Sequence, residues 1–288
     1  MEKKLRWIIA VSLLFMSSSA VAQVCGYGIY STQQTNIRDR VQLSPGTVGS
    51  AAYVEVGVEA KVNGDIVSSG NVFLRDRCTV NANVYAAGSI SKQNQVVVTG
   101  GEYPNVAVAP EVIETKTVTP GTQNFNLYNG NHLDLAPGAY RDMHLYDGSS
   151  LTLHEGVYSF RTFIMEAGNA ALNFNPDDGF IEVNVSGELR FGDRNQFVLA
   201  GEADPVQVQF YTNGTNQVKV GTDSTFNGVI TAPNAQVYVF SRVTVNGALY
   251  GKQVWVDADS KVNFYPNCTA YNTDMDDSAT VAMCNALS

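Results

Sequence analysis

One stretch of this chain says nearly the same thing twice. Val54-Glu55-Val56-Gly57 leads into Val62-Asn63-Gly64-Asp65-Ile66-Val67-Ser68-Ser69-Gly70. Eighteen positions later, Val72-Phe73-Leu74-Arg75 leads into Val80-Asn81-Ala82-Asn83-Val84-Tyr85-Ala86-Ala87-Gly88. Each run alternates apolar and polar residues and closes on a small or polar turn residue, the pattern of a half-buried strand. A fixed period of this size built from short strands marks a solenoid, because a single repeat cannot bury its apolar face without a neighbour.

The theme returns further on. Leu135-Ala136-Pro137-Gly138-Ala139-Tyr140 is matched eighteen residues later by Leu153-His154-Glu155-Gly156-Val157-Tyr158. Towards the C-terminus, Phe226-Asn227-Gly228, Val245-Asn246-Gly247 and Val262-Asn263-Phe264 repeat the opening Val-Asn motif. Asn63, Asn81, Asn227, Asn246 and Asn263 therefore occupy equivalent points of successive coils. Stacked coils place equivalent residues about 4.8 Å apart, close enough for an Asn amide to bond to the Asn above it. These residues read as a structural ladder with no chemistry of their own.

The predicted fold is all-β: a single right-handed parallel β-helix with a period of about eighteen residues and capped ends. About a dozen coils would make a rod on the order of 50 Å long. After the N-terminal leader no capped amphipathic segment of helical period appears, so crossover helices have no sequence to come from. The expected organisation is a signal peptide at 1–22, a polar N-terminal cap at 23–50, the β-helix at 51–265 and a tail at 266–288. Pro104, Pro110 and Pro120 mark an irregular excursion at 102–131.

Lys3, Lys4 and Arg6, the apolar run from Trp7 to Met16, and Ala20-Val21-Ala22 have the layout of a cleaved secretory leader. The expected location is secreted: periplasm, cell surface or extracellular medium. The whole chain carries a net charge of −9, and removing a basic leader makes it more negative. Such a surface repels nucleic acid and anionic glycans, and no apolar segment after the leader is long enough to anchor the chain in a membrane. Cys25, Cys78, Cys268 and Cys284 all follow the leader, so two disulfides are expected in an oxidising compartment. Of the three pairings, Cys25–Cys78 with Cys268–Cys284 is favoured.

The run Leu-x-Pro-Gly-x-Tyr … Leu-x-x-Gly-x-Tyr-x-Phe at 135–160 resembles secreted bacterial β-helix domains of largely unknown function. Such domains also occur at the C-terminus of some pilus-assembly proteins. The Asn-Gly turns at 226–232 and 245–251 are similar to the same group and, more loosely, to the bactofilin-type polymer-forming proteins. The resemblance implies a structural module acting by contact through repetitive faces, with a pilus-associated accessory role as one alternative.

Chemistry offers a second alternative, a carbohydrate-active enzyme on the same fold. Polysaccharide lyases and hydrolases gather carboxylates and basic residues on one exposed sheet. The residue types here are Arg141, Asp142, His144, Arg161, Glu166, Arg190, Asp193 and Arg194. A strict step of eighteen takes Asp142 to Phe160 and His144 to Thr162, so these groups are not expected to stack into one patch, and no cofactor is assigned. Calcium is the cation that Asp177 and Asp178, or Asp274, Asp276 and Asp277, would suit, although neither group follows a known calcium-loop spacing. Ordinary acidic turns are the better account of both groups. Surface polysaccharide or protein is the expected partner class. Ice binding calls for a flat Thr array repeated on every coil; Thr115, Thr117 and Thr119 lie in the irregular excursion and are not repeated, so ice binding is set aside.

Overall fold

Alternation of apolar residues buries one edge of every short strand, and parallel stacking is the arrangement that lets all of those edges share one core. A computed structural model describes residues 26–177 and 179–265. The expected leader, the expected tail, Cys25, Cys268, Cys284, Asp178, Asp274, Asp276 and Asp277 lie outside the described residues. All strand pairs are parallel, and they form three ladders that we name faces A, B and C.

Each ladder has eleven strands. Face A runs from Gly138–Ala139 through Gly156–Phe160, Ile181–Val185 and Val208–Thr212 towards Glu102–Pro104. Face B runs from Asn124–Leu127 to Ile90–Lys92. Face C runs from His132–Leu135 to Val97–Val98. The parallel β-solenoid expected from the repeats is borne out.

The order of the coils is not the order of the chain. The first strand, Tyr27–Ile37, pairs on one side with Thr47–Ser50 and Tyr53–Val56, and on the other with Thr244–Val256. Gln42–Leu43 likewise lies between Lys61–Val62 and Lys261–Phe264. The two Val-Asn regions, which read in sequence as opposite ends of one rod, therefore meet in the middle. Residues 27–50 are interior coil, where a cap was expected, because both of their edges find a strand partner. The outermost strands are instead 90–104 at one end and 124–139 at the other.

The join is sealed as any other coil would be. Arg38 and Gln42 donate their backbone N–H to Val256 and Ser260 at 2.9 and 3.0 Å. Three side-chain ladders also run across it. Asn263 donates to Asn246 and Asn246 to Asn227, each at 2.7 Å, while Ser44 donates to Asn263 at 3.0 Å. On the far side, Asn81 donates to Asn63 at 2.6 Å. The five Asn thus belong to one column, with Ser44 standing in it where the chain changes over. Gln217, Gln236, Gln253 and Gln33 form a second such column. In the third, Arg40 grips Asp259 with two bonds of 2.7 and 2.9 Å. Gly28 sits so close to Phe264 that a side-chain carbon there would lie 3.1 Å from the Phe264 Cβ.

Residues 105–123 connect the two ends of the rod and contain no strand, which narrows the expected excursion of 102–131. They run back along face A as a strap. Tyr30 Oη accepts from the Glu111 N–H at 2.7 Å, and Tyr211 Oη accepts from the Lys116 N–H at 2.7 Å. Lys116 reaches Glu182 at 2.5 Å. Ile113 is buried in a small apolar cluster with Tyr30, Val206, Val229, Ala248 and Tyr250.

Candidate functional site: an uncharged face

The strap covers much of face A, leaving faces B and C to meet solvent. They differ in chemistry. Outward positions of face B carry His144, Ile164, Arg190, Lys219, Tyr238, Trp255, Asn36, Glu55 and Phe73 in one register column. That is a surface of charges and rings.

Face C is different over five successive strands. Its outward pairs are Ser150 and Thr152, Ala171 and Asn173, Gln196 and Val198, Thr225 and Asn227, and Thr244 and Asn246. None of the ten carries a charge. The register is continuous across these strands except between the third and fourth, which pair at Gln196 and Thr225 alone; beyond that pair Asn227 Nδ2 donates to the Phe197 carbonyl at 2.5 Å. Inward neighbours Leu151, Leu172, Phe197, Phe226 and Val245 are buried and hold the strands from beneath. A parallel ladder spaces equivalent side chains by about 4.8 Å across strands and about 6.6 Å along one strand. The result is a fixed grid of hydroxyl, amide and small apolar groups. Charges bound it: His154 pairs with Asp134 at 2.8 Å at one end, and Lys261 occupies the next strand at the other.

The Thr residues weighed in the sequence are not part of this face. Thr115, Thr117 and Thr119 do lie in the strap, off the coils. The array is made by Thr152, Thr225 and Thr244 together with Ser150 and three Asn. A search for Thr alone at a constant step of eighteen overlooks it, because the coils here are longer and the same outward position alternates between residue types.

The residues considered for catalysis all fall elsewhere. Asp142 accepts two bonds from Arg161 at 2.8 and 2.5 Å, with Arg141 at 3.8 Å. Burial pushes the Asp142 carboxyl up, but the Arg161 hydrogen bonds and charge outweigh it and leave its pKa below the ordinary value. Arg190 holds Glu166 with bonds of 3.1 and 3.0 Å and also meets Glu188. Asp193 accepts the Thr222 N–H at 2.8 Å, and Arg194 occupies a corner with φ of 59°. His144 packs edge-on against Tyr146, and Ile164 separates it from Arg190 in the face B column. Each acid faces its own partner in the adjoining coil, so the eight residues do not converge. Contrary to the step-of-eighteen expectation, Asp142 and Arg161 do meet, because the coil there is 20 residues long and pairs Asp142 with Thr162, beside Arg161.

Among the described residues no three His, Cys, Asp or Glu side chains gather as a metal site. Asp177 stands in an exposed turn at φ of 50°. Cys78 is a buried thiol among the described residues, its pKa pushed up to about 11 by burial. Its expected partner Cys25 lies outside them. No helix among the described residues is long and apolar enough to cross a membrane.

Comparison with known proteins adds a family. A family model described as Ice-binding-like matches residues 108–262, a span that contains the whole uncharged part of face C. A crystal structure of ice binding protein from an Antarctic bacterium Flavobacteriaceae is similar over 84% of this chain and 81% of that chain, at 10% identity and a TM-score of 0.30. No curated protein matches the chain.

Proposed function

Because this chain belongs to the Ice-binding-like family, we propose that it is a non-catalytic surface-binding module whose uncharged face C adsorbs to ice. The observation that carries this reading is the run of five neighbouring parallel strands whose ten outward side chains are all uncharged.

The physics favours such a grid. An ordered solid presents its binding positions at fixed intervals, so a binder gains by holding its own groups at fixed intervals beforehand and losing little freedom on contact. Thr has a restricted χ1, and the Asn227–Asn246 hydrogen bond at 2.7 Å fixes two amides in the array. Lys side chains would work against it, since an ammonium is strongly hydrated and mobile. Single contacts are weak, but a rigid ladder makes them simultaneously, and adsorption is the sum.

The reading is tested by thermal hysteresis and by inhibition of ice recrystallisation. Native protein should show both. Thr225→Lys and Thr244→Lys place a long charged side chain within the grid and should remove most of the activity, with the thermal unfolding midpoint little changed. Lys219→Ala, on face B, should leave it intact. Native protein that neither slows recrystallisation nor enters growing ice would sink the proposal.

Ice lies outside the cell, so the function requires export. Fractionation of cells producing the full chain tests this: the proposal expects the protein outside the cytoplasm with residues 1–22 removed. Attachment to another repetitive surface, such as a matrix glycan, is the adhesive form of the same contact mechanism, and it would show as binding to that matrix that Thr225→Lys abolishes.

A further inference from the structure

The two ends of the rod are finished differently. At the end formed by residues 90–104, Lys92 and Glu102 take the register positions of buried Leu74 and Val84. They lean over the end of the core and meet there in an ion pair of 2.6 Å. Pro104 stands in the same edge, in register with Ala86, and has no N–H to offer. Charges turned inward and proline on an edge strand are devices that keep a bare sheet edge from pairing.

The end formed by residues 124–139 has none of them. Its inward positions hold Phe125, Leu127, Leu133 and Leu135, in register with buried Met143, Leu145, Leu151 and Leu153. Phe125, Leu133 and the adjoining Tyr140 pack against the core yet are only partly buried. Between Asn124 and Tyr140 the sequence carries one carboxylate, Asp134, and no Lys or Arg, in a chain whose net charge is −9. Depletion of charge over apolar side chains is the mark of a surface that another surface covers.

What this end fits is itself. The Leu127 and Asn131 carbonyls accept from Tyr146 and Ser150 of the next coil at 2.8 and 2.9 Å. Successive residues of a strand point their backbone groups to opposite sides, so those of Asn124, Asn126, His132 and Asp134 face out of the end. A two-fold axis through the corner at Gly130 lays Asn124–Leu127 antiparallel to His132–Leu135 of a second copy. With Asn126 opposite that copy's Asp134, outward backbone groups meet each other, Phe125 falls opposite Leu135, and Leu127 opposite Leu133. The Asn126 amide can donate to the Asp134 carboxylate, and no like charges face each other. The axis itself is open, since a side-chain carbon at Gly130 would have no atom within 4 Å. Tyr128, 56% exposed, lies flat on Tyr146 with ring centres 4.8 Å apart, so its outer face looks out of the end towards the second copy's His132. The opposite end of the rod is no substitute, because it would set Lys92 and Glu102 against the apolar coil.

We propose that the chain forms a closed end-to-end dimer through the coil of residues 124–139, each of these pairs being made twice. Association stops at two because the other end is blocked. The proposal does not rest on the reading of face C as an ice surface.

Sedimentation equilibrium of protein purified from cells producing the full chain should give twice the mass of one chain. Asn126→Asp sets a carboxylate opposite Asp134 twice per dimer and should weaken association about tenfold. Adding Asp134→Asn to that variant should restore it. Tyr103→Glu, at the blocked end, should leave the mass unchanged. Folded native protein that sediments as a single chain at its highest soluble concentration overturns the proposal. Amide exchange at Asn126 and Asp134 then tells a bare edge from one covered by the chain beyond residue 265. A dimer that Asn126→Asp leaves intact overturns the interface, and longer assemblies that Tyr103→Glu cuts back to pairs overturn its closure. If Asn126→Asp does not fold, Tyr128→Glu, which changes an exposed ring, decides the matter by the same loss of mass.

Discussion

Coils between Thr47 and Pro104 are narrow, and those between Asp142 and Val220 are wide. In the narrow part equivalent residues bond at separations of 18, as in Asn63–Asn81, Asp76–Asn94 and Asn83–Gly101. In the wide part register partners lie 20, 26 and 29 residues apart, as in Asp142–Thr162, Met165–Phe191 and Arg190–Lys219. The cores differ in step. Val54, Val62, Ile66, Val72, Val80, Val84 and Ala86 fill the first; Phe160, Phe163, Phe174, Phe191, Phe197 and Phe210 fill much of the second. A solenoid of three ladders can thus lengthen its coils at the corners, provided larger side chains occupy the space that opens. The uncharged grid lies on the wide part and its border with the join, where a broad core supports it.

The comparison is most easily broken in the core. Phe191 meets Phe197, Phe210 and Phe226 with ring centres 5.0, 5.1 and 5.7 Å away. Phe191→Ala should cost about 3–5 kcal/mol, whereas Ile66→Val in the narrow part should cost about 0.5–1.5 kcal/mol. Urea unfolding of both variants gives the two numbers. Equal losses would mean that the wide coils do not depend on their aromatic filling.

The strap sharpens it next. Tyr211 belongs to the wide part and Tyr30 to the join, yet each fastens one backbone position of the strap by accepting and donating through its hydroxyl. Tyr211→Phe and Tyr30→Phe should each cost about 1–3 kcal/mol by leaving strap amides unpaired. Amide exchange should quicken around residue 116 in the first and residue 111 in the second. Faster exchange along the entire strap in either variant would show that it is held as one piece.

The smallest effect lies at the corner between faces B and C. The coils at the Asn124 end turn there on Gly130 and Gly148, with φ of 77° and 69°, while coils further along the stack use Asp223, Arg242, Asp259, Arg40, Glu59 and Arg77 at φ near 60°. Asn, Asp and Gly tolerate that backbone region most readily, so Arg and Glu are there for another reason. They alternate in charge: Arg242 binds Asp223, Arg40 binds Asp259 and Arg77 binds Glu59. Hydrogen bonds from Arg242 and Arg40 hold the Asp223 and Asp259 carboxyls below their usual 3.8. A depressed folded-state pKa gives stability that is complete above the unfolded value and fades as the pH falls through the folded one. Acidification below about pH 4 should therefore lower the melting temperature, slightly less so in Arg40→Gln, since exposed pairs contribute little. Differential scanning calorimetry across that range, in low salt, checks it.

Much of this was legible in the residues. The alternation around Val54–Gly88 and the recurring Asn gave the ladder and its approximate period, because both follow from local stacking. The grid on face C escaped notice, since its members sit at varying sequence distances and are equivalent only in register. The catalytic candidates misled for the same reason: a step of eighteen parts Asp142 from Arg161, and the real coil joins them. The join was invisible. Val-Asn turns at 62–63 and 245–246 look alike, and nothing local says which coil rests on which.

That join also sets a timetable. Tyr27 accepts a bond from Tyr250, 223 residues away, and Arg40 finds Asp259 at a separation of 219. Contacts so distant in sequence form late and slowly. During synthesis the strand Tyr27–Ile37 emerges among the first and must wait for almost the last, Thr244–Val256, with one edge bare. The nascent narrow coils thus carry an open, parallel sheet edge for most of translation, the stage at which such an edge recruits wrong partners. A chaperone that shields that edge, or a short interval between synthesis and export, would matter more to the yield of this protein than the strength of its finished core.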